Sequence, residues 1–424
     1  MDKYQLKTSE KEYLRDLAKR QMEIAMSDDM LNKKQLWYDL NDGIKNRPPF
    51  AIETGGFTRD FLPDNLLTCE NPTARALEFS FLSHIRHNDL IGDDYIVPEY
   101  LSYGWMLDFD EYGIQIETDY AKDAEGETVA YHFHCPITDL TDGFDMIKPS
   151  TFSLKREETY KYRDFLNETF ADIIPVRLRY GPPGFGWLTQ RLMRLLSMET
   201  FFVAMYDCPE NLHGIMALLR DNCLRFDKWA EDNNLLTLNN ENECTCGTCL
   251  NYTHNLPRRE IKDGDKIFLK DLWRQLDSQE TVGVSGELFH EFCYPYYRDI
   301  AETVGYVYWG CCEPADPIWE QSLSKMPNLH AVSISKWANE DKMGEYLNGT
   351  DIIYSKKPDP TILGLNFQLD EDAWRSDIRR SLEVAKKNNL QTELVVRDVY
   401  SLSGNMGKAK RATEIANEEI EKLY

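Results

Sequence analysis

The 424-residue sequence predicts a mixed α/β protein with the (β/α)8 TIM-barrel fold. Short β-rich runs alternate with long amphipathic helical patterns. The runs are apolar throughout, which is typical of parallel strands covered on both faces. About eight strand–helix units without a Gly-rich dinucleotide fingerprint favour a closed barrel over an open doubly wound sheet. The strands are expected at residues 49–52, 173–179, 235–238, 281–284, 306–309, 331–335, 352–354 and 393–396.

Helices are expected before and between these strands. Ser9-Glu10-Lys11-Glu12 predicts a capping box that opens a first amphipathic helix, which runs to about Ser27. Residues 1–45 are therefore expected to form a helical cover over the barrel. The longer helical patterns that follow cover residues 187–206, 209–230, 286–303, 341–347 and 371–388.

One segment interrupts the strand–helix rhythm. Residues 112–119 and 128–135 alternate in polarity on either side of the turn sequence Asp123-Ala124-Glu125-Gly126. This pattern predicts a β-hairpin inserted within residues 110–136. Because no repeat, low-complexity tract or Pro/Gly-rich linker divides the chain, we expect one domain over residues 1–424.

Charge and composition exclude several classes of partner. The chain has 48 Lys and Arg against 72 Asp and Glu, a net charge of −24, which argues against nucleic-acid binding and against docking on anionic membranes. No run approaches the roughly 18 apolar residues of a membrane span, and the N-terminus lacks the apolar core of a signal peptide. The sequence therefore predicts a cytoplasmic protein with no nucleic-acid or membrane partner.

Five of the ten cysteines occur where a metal could bind. Cys244, Cys246 and Cys249 are spaced so that a tight loop can bring several sulfurs towards one zinc ion. Cys311 and Cys312 follow the strand expected at 306–309, and active sites of parallel barrels lie on the loops after strands. On an extended chain, adjacent cysteines would point to opposite faces, so only one would enter the site. Incidental loop cysteines are the alternative.

Charged and aromatic residues also follow predicted strands. In an acidic protein, basic groups at strand ends can hold a substrate carboxylate or polarise a substrate, although structural ion pairs are the alternative. The candidate substrate-binding residues are Arg59, Lys356 and Arg397, with Tyr103 and Trp105 as an aromatic wall. The candidate catalytic carboxylates are Glu53 and Glu313.

Part of the sequence resembles the uroporphyrinogen decarboxylase superfamily. Val282-Gly283-Val284-Ser285-Gly286-Glu287-Leu288-Phe289 and then Tyr294-Pro295-Tyr296-Tyr297 are similar to that superfamily's strand, Ser-x-Glu-x-Phe helix start and Pro-Tyr pair. A further match is Tyr206-Asp207-Cys208-Pro209-Glu210 with His213, and the likeness spans about residues 90–424. The resemblance implies a (β/α)8 fold with one deep pocket at the carboxyl ends of its strands.

The superfamily contains porphyrinogen decarboxylases and cobamide-dependent methyltransferases. The decarboxylases bind substrate carboxylates through Arg-Gln-Ala-Gly-Arg-Tyr, whereas this chain has Ile52-Glu53-Thr54-Gly55-Gly56-Phe57-Thr58-Arg59, with one arginine and an added acid. The methyltransferases hold zinc through a His-x-Cys pair and a later cysteine. Gly310-Cys311-Cys312-Glu313 is similar to the first of these but lacks the histidine, so the Cys244–Cys249 loop would have to supply further ligands.

The resemblance therefore implies a zinc-assisted methyltransferase. Zinc would make a thiol or hydroxyl acceptor nucleophilic, and a corrinoid protein or free cobamide would carry the methyl group of a small-molecule donor or acceptor. Two alternatives remain open: a metal-free decarboxylase or other lyase acting on a carboxylated substrate, and a non-catalytic carrier of a tetrapyrrole or corrinoid. A homodimer is a further expectation.

Overall fold

A computed structural model describes residues 3–122, 128–143, 146–181 and 184–424. The strands are β1 (Phe50–Ile52), β2 (Leu101–Tyr103), β3 (Leu107–Asp110), β4 (Thr118–Lys122), β5 (Thr128–Phe133), β6 (Thr151–Leu154), β7 (Val176–Leu178), β8 (Trp273–Leu276), β9 (Tyr306–Trp309), β10 (Leu329–Ile334), β11 (Ile353–Lys356) and β12 (Thr392–Val396).

The helices are α1 (Thr8–Ala25), α2 (Asp28–Asn41), α3 (Thr58–Phe61), α4 (Pro72–Leu90), α5 (Leu140–Gly143), α6 (Arg156–Phe170), α7 (Leu188–Leu195), α8 (Met198–Asp207), α9 (Pro209–Asp232), α10 (Gly286–Phe292), α11 (Tyr294–Ala301), α12 (Glu340–Leu347), α13 (Pro360–Gly364), α14 (Glu371–Lys387) and α15 (Gly407–Leu423). Nowhere in the described ranges is there a helix long and apolar enough to cross a membrane.

The centre of the protein is a six-stranded sheet in the order β1-β12-β11-β10-β9-β8, with every neighbouring pair parallel. The strands expected at 49–52, 306–309, 331–335, 352–354 and 393–396 are confirmed within one or two residues. Because all six strands run the same way, their carboxyl ends meet at one edge of the sheet, where ligand sites of parallel sheets lie.

The sheet does not close into a hydrogen-bonded barrel in the described part of the chain. β2 and β7 form a separate parallel pair, and residues 235–238 are extended but join no ladder. The gaps are bridged in other ways: Asp94 N donates to Phe50 O (2.8 Å), and the Asn239 side chain exchanges two hydrogen bonds with the backbone of Trp273 (both 2.9 Å). The expected closed eight-stranded barrel is therefore not seen, and the described residues form a mixed α/β fold with a central parallel sheet.

The strand expected at 281–284 was wrong. That segment is a turn that contains Gly283 with φ of +95°, and the strand is β8, eight residues earlier. The sequence of β8 is Trp-Arg-Gln-Leu, and its two polar residues interrupt the apolar run by which the other strands of the sheet are predicted. Both are accommodated inside: Arg274 pairs with the buried Asp227 of α9, and the Gln275 side chain donates to Gly310 O.

Two helices expected as continuous are each split in two. The 187–206 pattern is α7 and α8, because Ser197 caps a new helix by accepting a hydrogen bond from Thr200 N. The 286–303 pattern is α10 and α11, with Pro295 in the first turn of the second. The first helix is confirmed, but its cap differs: it starts at Thr8, and Glu10, not Ser9, receives the free backbone N–H groups of Lys7, Glu70 and Asn71.

The inserted hairpin is confirmed as the antiparallel pair β4–β5, in which Thr118 lies opposite Phe133. Its expected turn, residues 123–126, lies outside the described residues. A second antiparallel pair, β3–β6, flanks it and was not expected from the sequence.

The two faces of the central sheet are covered differently. Alternate residues of its strands, such as Trp309 and Val396, pack against the surrounding helices. The residues between them form a third hydrophobic cluster with Trp37 and Leu40 of α2 and with the segment 246–252. The loop that carries three of the candidate cysteines therefore covers the inner face of the sheet together with α2.

The buried Arg274–Asp227 ion pair gives a test of this packing. Both side chains are at most 2% exposed, and Arg274 Nη2 donates to Asp227 Oδ1 at 2.9 Å. We expect D227N to lower the free energy of unfolding by about 3 kcal/mol, because it leaves an unpaired charge inside. Urea denaturation at neutral pH measures this.

Two further variants serve as controls for D227N. The double variant D227L/R274M should recover most of the loss, because it removes both buried charges together. K228A, which breaks the exposed Lys228–Asp232 pair one residue away, should change stability by less than about 0.5 kcal/mol. Equal effects of D227N and K228A would contradict the proposed role of the pair.

Candidate functional site

A cavity of about 800 Å³ lies at the carboxyl ends of β9, β10, β11 and β12. We call it the strand-end cavity. Loops that follow successive strands of the sheet supply its polar and aromatic lining. These lining residues include Gln279, Cys311, Cys312, Ser335, Lys336, Trp337, Lys357, Arg397, Asp398 and Tyr400.

Arg397, the first residue after β12, connects several of the sequence candidates. Its Nε donates to Glu53 Oε2 (2.9 Å), and its Nη1 lies 2.8 Å from Cys246 Sγ and 2.9 Å from Cys311 Sγ. Burial alone would lower the pKa of Arg397, but Cys246, Cys311 and Glu53 raise it above its ordinary value. Arg397 therefore remains a cation in the wall of the cavity.

Gly247 explains how the cysteine loop approaches this guanidinium so closely. Its φ is +62°, and a Cβ at this position would lie 2.9 Å from both Cδ and Nε of Arg397. Any other residue would have to push Arg397 aside. The glycine thus allows Cys246, one residue earlier, to reach the strand ends.

Cys312 and Asp398 form a thiol–carboxylate pair that faces the cavity. Cys312 Sγ donates to Asp398 Oδ2 at 2.9 Å, and Cys311 Sγ lies 3.3 Å from Cys312 Sγ. The expectation that adjacent cysteines point apart was wrong, because Gly310, with φ of +92°, turns the chain out of the extended conformation. Asp398 itself has φ of +60°, a strained conformation of a kind that clusters at functional sites.

A second cation, Lys357, lies deeper in the wall. Its Nζ donates to Tyr308 OH (2.7 Å), Ser355 Oγ (2.6 Å) and Cys249 Sγ (3.3 Å). Burial opposes its charge, but Cys249, Cys246 and Glu393 raise the pKa of Lys357 above the usual value. A half-buried cation, Arg397, and a buried one, Lys357, therefore border one cavity in a strongly acidic protein.

Two carboxyl groups lie at the ends of β8 and β9. Glu313 accepts backbone hydrogen bonds from Ser278 N and Cys311 N, both at 3.0 Å, and so ties the two strand ends together. Asp277 is buried, and its Oδ1 has no hydrogen-bond partner among the described residues. Burial, with the nearby charges of Glu313 and Glu280, raises the pKa of Asp277 to about 8, so this carboxyl keeps its proton at neutral pH.

Sequence reasoning missed Asp277, which is buried at the end of β8 and does not line the strand-end cavity. Asp277 directly follows β8, but the strand was expected eight residues later, so its position at a strand end was not visible. Lys356 and Lys357 both follow the strand expected at 352–354, and of the two the candidate Lys356 points away from the cavity and pairs with Glu340 Oε1 at 3.0 Å, whereas Lys357 lines it. Successive residues of a strand face opposite sides, which is why Lys357 points inward.

Of the twelve candidates, the structure brings six together around Arg397 and the strand ends: Glu53, Cys246, Cys249, Cys311, Cys312 and Arg397 itself. A seventh candidate, Glu313, accepts hydrogen bonds from the backbone of the loops after β8 and β9.

The remaining candidates lie elsewhere. Arg59 is exposed on α3 and does not line the cavity. Tyr103 packs in the hydrophobic cluster formed with α1, and Trp105 Nε1 donates to Leu235 O (2.9 Å). Cys244 is exposed at the edge of a different, smaller cavity. The expected aromatic wall is therefore not part of the strand-end cavity.

The cysteines, as arranged, do not fit a zinc ion. Within the described ranges, no group of three or more His, Cys, Asp or Glu side chains is placed to hold one metal. A guanidinium nitrogen lies within 2.9 Å of both Cys246 and Cys311, where a second cation would be repelled. Burial also raises the pKa of the Cys246 and Cys249 thiols, which disfavours the thiolates that zinc binds.

Comparison with known proteins supports the fold alone. No protein-family model matches the chain, and no curated protein matches it in sequence. Among solved structures, it is similar to a methyltransferase from Methanosarcina mazei, with a TM-score of 0.50 and 12% identity over 91% of this chain and 98% of the other. A glycoside hydrolase family 5 mannosidase from Rhizomucor miehei has a TM-score of 0.33 at 9% identity, covering 89% of this chain and 94% of its own, too low to support any inference.

The raised pKa of Asp277 predicts a pH-dependent stability. The folded protein holds this proton up to about pH 8, whereas the unfolded chain releases it near pH 4, so its contribution to stability falls as pH rises between these values. We expect D277N to gain stability relative to the unsubstituted protein between about pH 5 and about pH 8. Urea denaturation midpoints at the two pH values measure the change.

The control for D277N is D263N, at an exposed turn. It should follow the pH dependence of the unsubstituted protein. If D277N followed it too, Asp277 would have an ordinary pKa.

Proposed function

We propose that this protein is a methyltransferase acting on a negatively charged small molecule in the strand-end cavity. The observation that carries the proposal is the convergence of Arg397, Lys357 and the Cys312–Asp398 pair at the carboxyl ends of parallel strands. The similarity of the fold to a solved methyltransferase supports the choice of reaction.

The two cations account for the charge of the substrate. Arg397 offers a planar guanidinium that suits carboxylate, sulfonate or phosphate oxygens, and Lys357 adds a point charge nearby. Because the whole chain carries a charge of −24, two cations at one cavity form a local attraction for an anion. The substrate is therefore expected to be held by its anionic group, with its reacting atom nearer the mouth.

Asp398 is the group placed to accept a proton. Methyl transfer forms a bond from the acceptor's lone pair to the methyl carbon while the bond from that carbon to the donor breaks. A thiol or hydroxyl acceptor must also lose its proton, and Asp398 already accepts a hydrogen bond from Cys312 at 2.9 Å. A carboxylate at this distance can take the acceptor's proton as a general base.

The mouth of the cavity suits a large methyl carrier. Trp337, Leu365 and Tyr400 line it and are 69%, 74% and 79% exposed, an unusual degree for such side chains. A corrinoid, free or bound to a partner protein, would supply an electrophilic methyl group at this mouth. The proposal includes this carrier but not zinc, because the cysteines do not fit the metal.

Methylcobalamin provides the test of methyl transfer. We expect the protein to change the visible spectrum of methylcobalamin when the acceptor is 3-mercaptopropionate, a thiol with a carboxylate. D398N should lower kcat by about 100-fold or more, as expected for loss of a general base, and R397Q should mainly raise KM for the anionic thiol.

Two controls complete that experiment. C135S removes a cysteine that does not line the cavity and should leave the rate unchanged. A neutral thiol, 2-mercaptoethanol, should react more slowly than the anionic one. If neither thiol altered the spectrum, methyl transfer to thiols would be ruled out.

A metal-free lyase is the second candidate, favoured by Asp277. In a decarboxylation, the bond to the carboxylate carbon breaks, carbon dioxide leaves, and the electron pair left on the substrate must receive a proton. A carboxyl that is still protonated at neutral pH is suited to donate that proton. Arg397 would hold a second acidic group of the substrate.

Release of labelled carbon dioxide from pyrrole- and indole-acetates distinguishes the lyase. For the lyase, we expect D277N to abolish release and C312S to leave it intact, because no thiol takes part in the reaction. The methyltransferase would give no carbon dioxide with any of these compounds. Loss of release in C312S would contradict the lyase mechanism.

A further inference from the structure

Neither proposed reaction consumes the two adjacent thiols of the strand-end cavity. Cys311 and Cys312 both line this cavity, both are free thiols, and their sulfur atoms lie 3.3 Å apart. A disulfide bond is about 2.0 Å long, so the two sulfurs need to approach by only roughly 1.3 Å to form one. The Cys311–Cys312 pair is therefore placed for oxidation by a molecule that enters the cavity.

The loop after β9 holds the two thiols side by side. Gly310 turns the chain with φ of +92°, and a Cβ at this position would lie 3.2 Å from Ser333 Cβ. The backbone of Cys311 is fixed on both sides, because its N donates to Glu313 Oε2 (3.0 Å) and its carbonyl oxygen accepts from Ser333 Oγ (2.6 Å). The closeness of the two sulfurs is thus a property of a well-anchored loop.

The two thiols differ in access and in their charged neighbours. Cys312 is half-buried and donates to Asp398 Oδ2 at 2.9 Å, whereas Cys311 lies deeper and is only 7% exposed. Arg397 Nη1 lies 2.9 Å from Cys311 Sγ, where it can stabilise negative charge on that sulfur. An incoming molecule therefore meets Cys312 first, and Cys311 is placed to react second.

We propose that the Cys311–Cys312 pair reduces the disulfide of a small anionic thiol and becomes a vicinal disulfide itself. Cys312 passes its proton to Asp398, and its sulfur bonds to one sulfur of the substrate, whose S–S bond breaks. The released thiol takes that proton. Cys311 Sγ then bonds to Cys312 Sγ, and the second substrate thiol leaves with the proton of Cys311. The two protein thiols lose two electrons, and the substrate disulfide gains them.

The choice of an anionic disulfide rests on the proposed function, because Arg397 and Lys357 are the cations that would also hold the methyl acceptor. A disulfide of that acceptor carries the same anionic groups, and a cavity of about 800 Å³ has room for both halves. In a chain with a net charge of −24, attraction for an anion exists only where such cations converge.

The vicinal disulfide is expected to be easy to reduce again. Adjacent Cα atoms are about 3.8 Å apart across a trans peptide, closer than in most disulfides, so the bond would be strained. Strained disulfides have more oxidising potentials than relaxed structural ones. Excess thiol should therefore return the pair to its reduced form.

Treatment of the full-length protein with 3,3′-dithiodipropionate, the disulfide of 3-mercaptopropionate, tests the proposal. An excess of this disulfide without added thiol drives the reaction forwards. After free thiols are blocked, trypsin releases both cysteines on one peptide, residues 299–325. Mass spectrometry should show that this peptide has lost two hydrogen atoms and gained no part of the probe. Excess 3-mercaptopropionate should restore both thiols.

Variants assign the order of the two steps. C311S removes the second thiol, so Cys312 should stop at the mixed disulfide and the peptide should gain half of the probe. C312S leaves only the deeper thiol and should slow modification of the peptide by about tenfold or more. C208S is the matched control, because Cys208 is also half-buried but does not line the cavity; it should leave oxidation of the pair unchanged.

The disulfide of 2-mercaptoethanol provides the neutral comparison. Each rate is divided by the rate of the same disulfide with a free thiol in solution, which removes differences in intrinsic reactivity. We expect the protein to favour the anionic disulfide by about tenfold. R397Q should reduce this preference, which a general loss of reactivity would not do.

Three results would overturn the proposal: both thiols of peptide 299–325 remaining free, a cross-link from that peptide to residues 229–258, which carry Cys246, or equal normalised rates for the two disulfides. The methylcobalamin assay separates this activity from the proposed function. A vicinal disulfide without any spectral change would contradict methyl transfer alone, whereas a spectral change without the disulfide would contradict only the activity proposed for the Cys311–Cys312 pair.

Discussion

A parallel sheet must be covered on both faces, and in this protein a loop covers the inner face together with α2. A buried loop brings backbone N–H and C=O groups into the interior, and each needs a partner. Asparagine side chains supply many of them: Asn41 donates to Leu250 O and Tyr252 O, and Asn251 donates to Asn239 O, all at 2.9 Å. These amides hold the segment from 239 to 252 against the sheet, and the positions of Cys246 and Cys249 depend on them.

The buried loop also sets the chemistry of the strand-end cavity. It places Cys246 and Cys249 beside the two cations that the strands contribute, Arg397 and Lys357. Burial raises the pKa of both thiols, so they keep their protons while the two cations keep their charge. The site is therefore suited to binding anions and to passing protons between thiol and carboxylate, not to holding a divalent metal.

The strand ends differ in how deeply they bury their charged groups. Lys357, Arg397 and Asp398 follow β11 and β12 and line the strand-end cavity, whereas Asp277 and Glu313 follow β8 and β9, are buried and do not line it. Burial and mutual repulsion keep a proton on Asp277 at neutral pH. The proposed methyl transfer uses the first group and the proposed decarboxylation uses the proton of Asp277, so variants of the two groups distinguish the two reactions.

The sequence by itself determined the strands that are apolar on both faces, because a continuous apolar run reports burial directly. It thereby placed Cys311, Cys312 and Arg397 after strands and at one edge of a sheet. It could not reveal β8, whose arginine is buried only because Asp227 of a distant helix neutralises it. Nor could it tell that Lys357, not Lys356, faces the cavity. It also could not tell that the cysteine loop packs against the inner face of the sheet. These features depend on partners far away in the chain, and periodicity records whether a residue is buried but not what it is buried against.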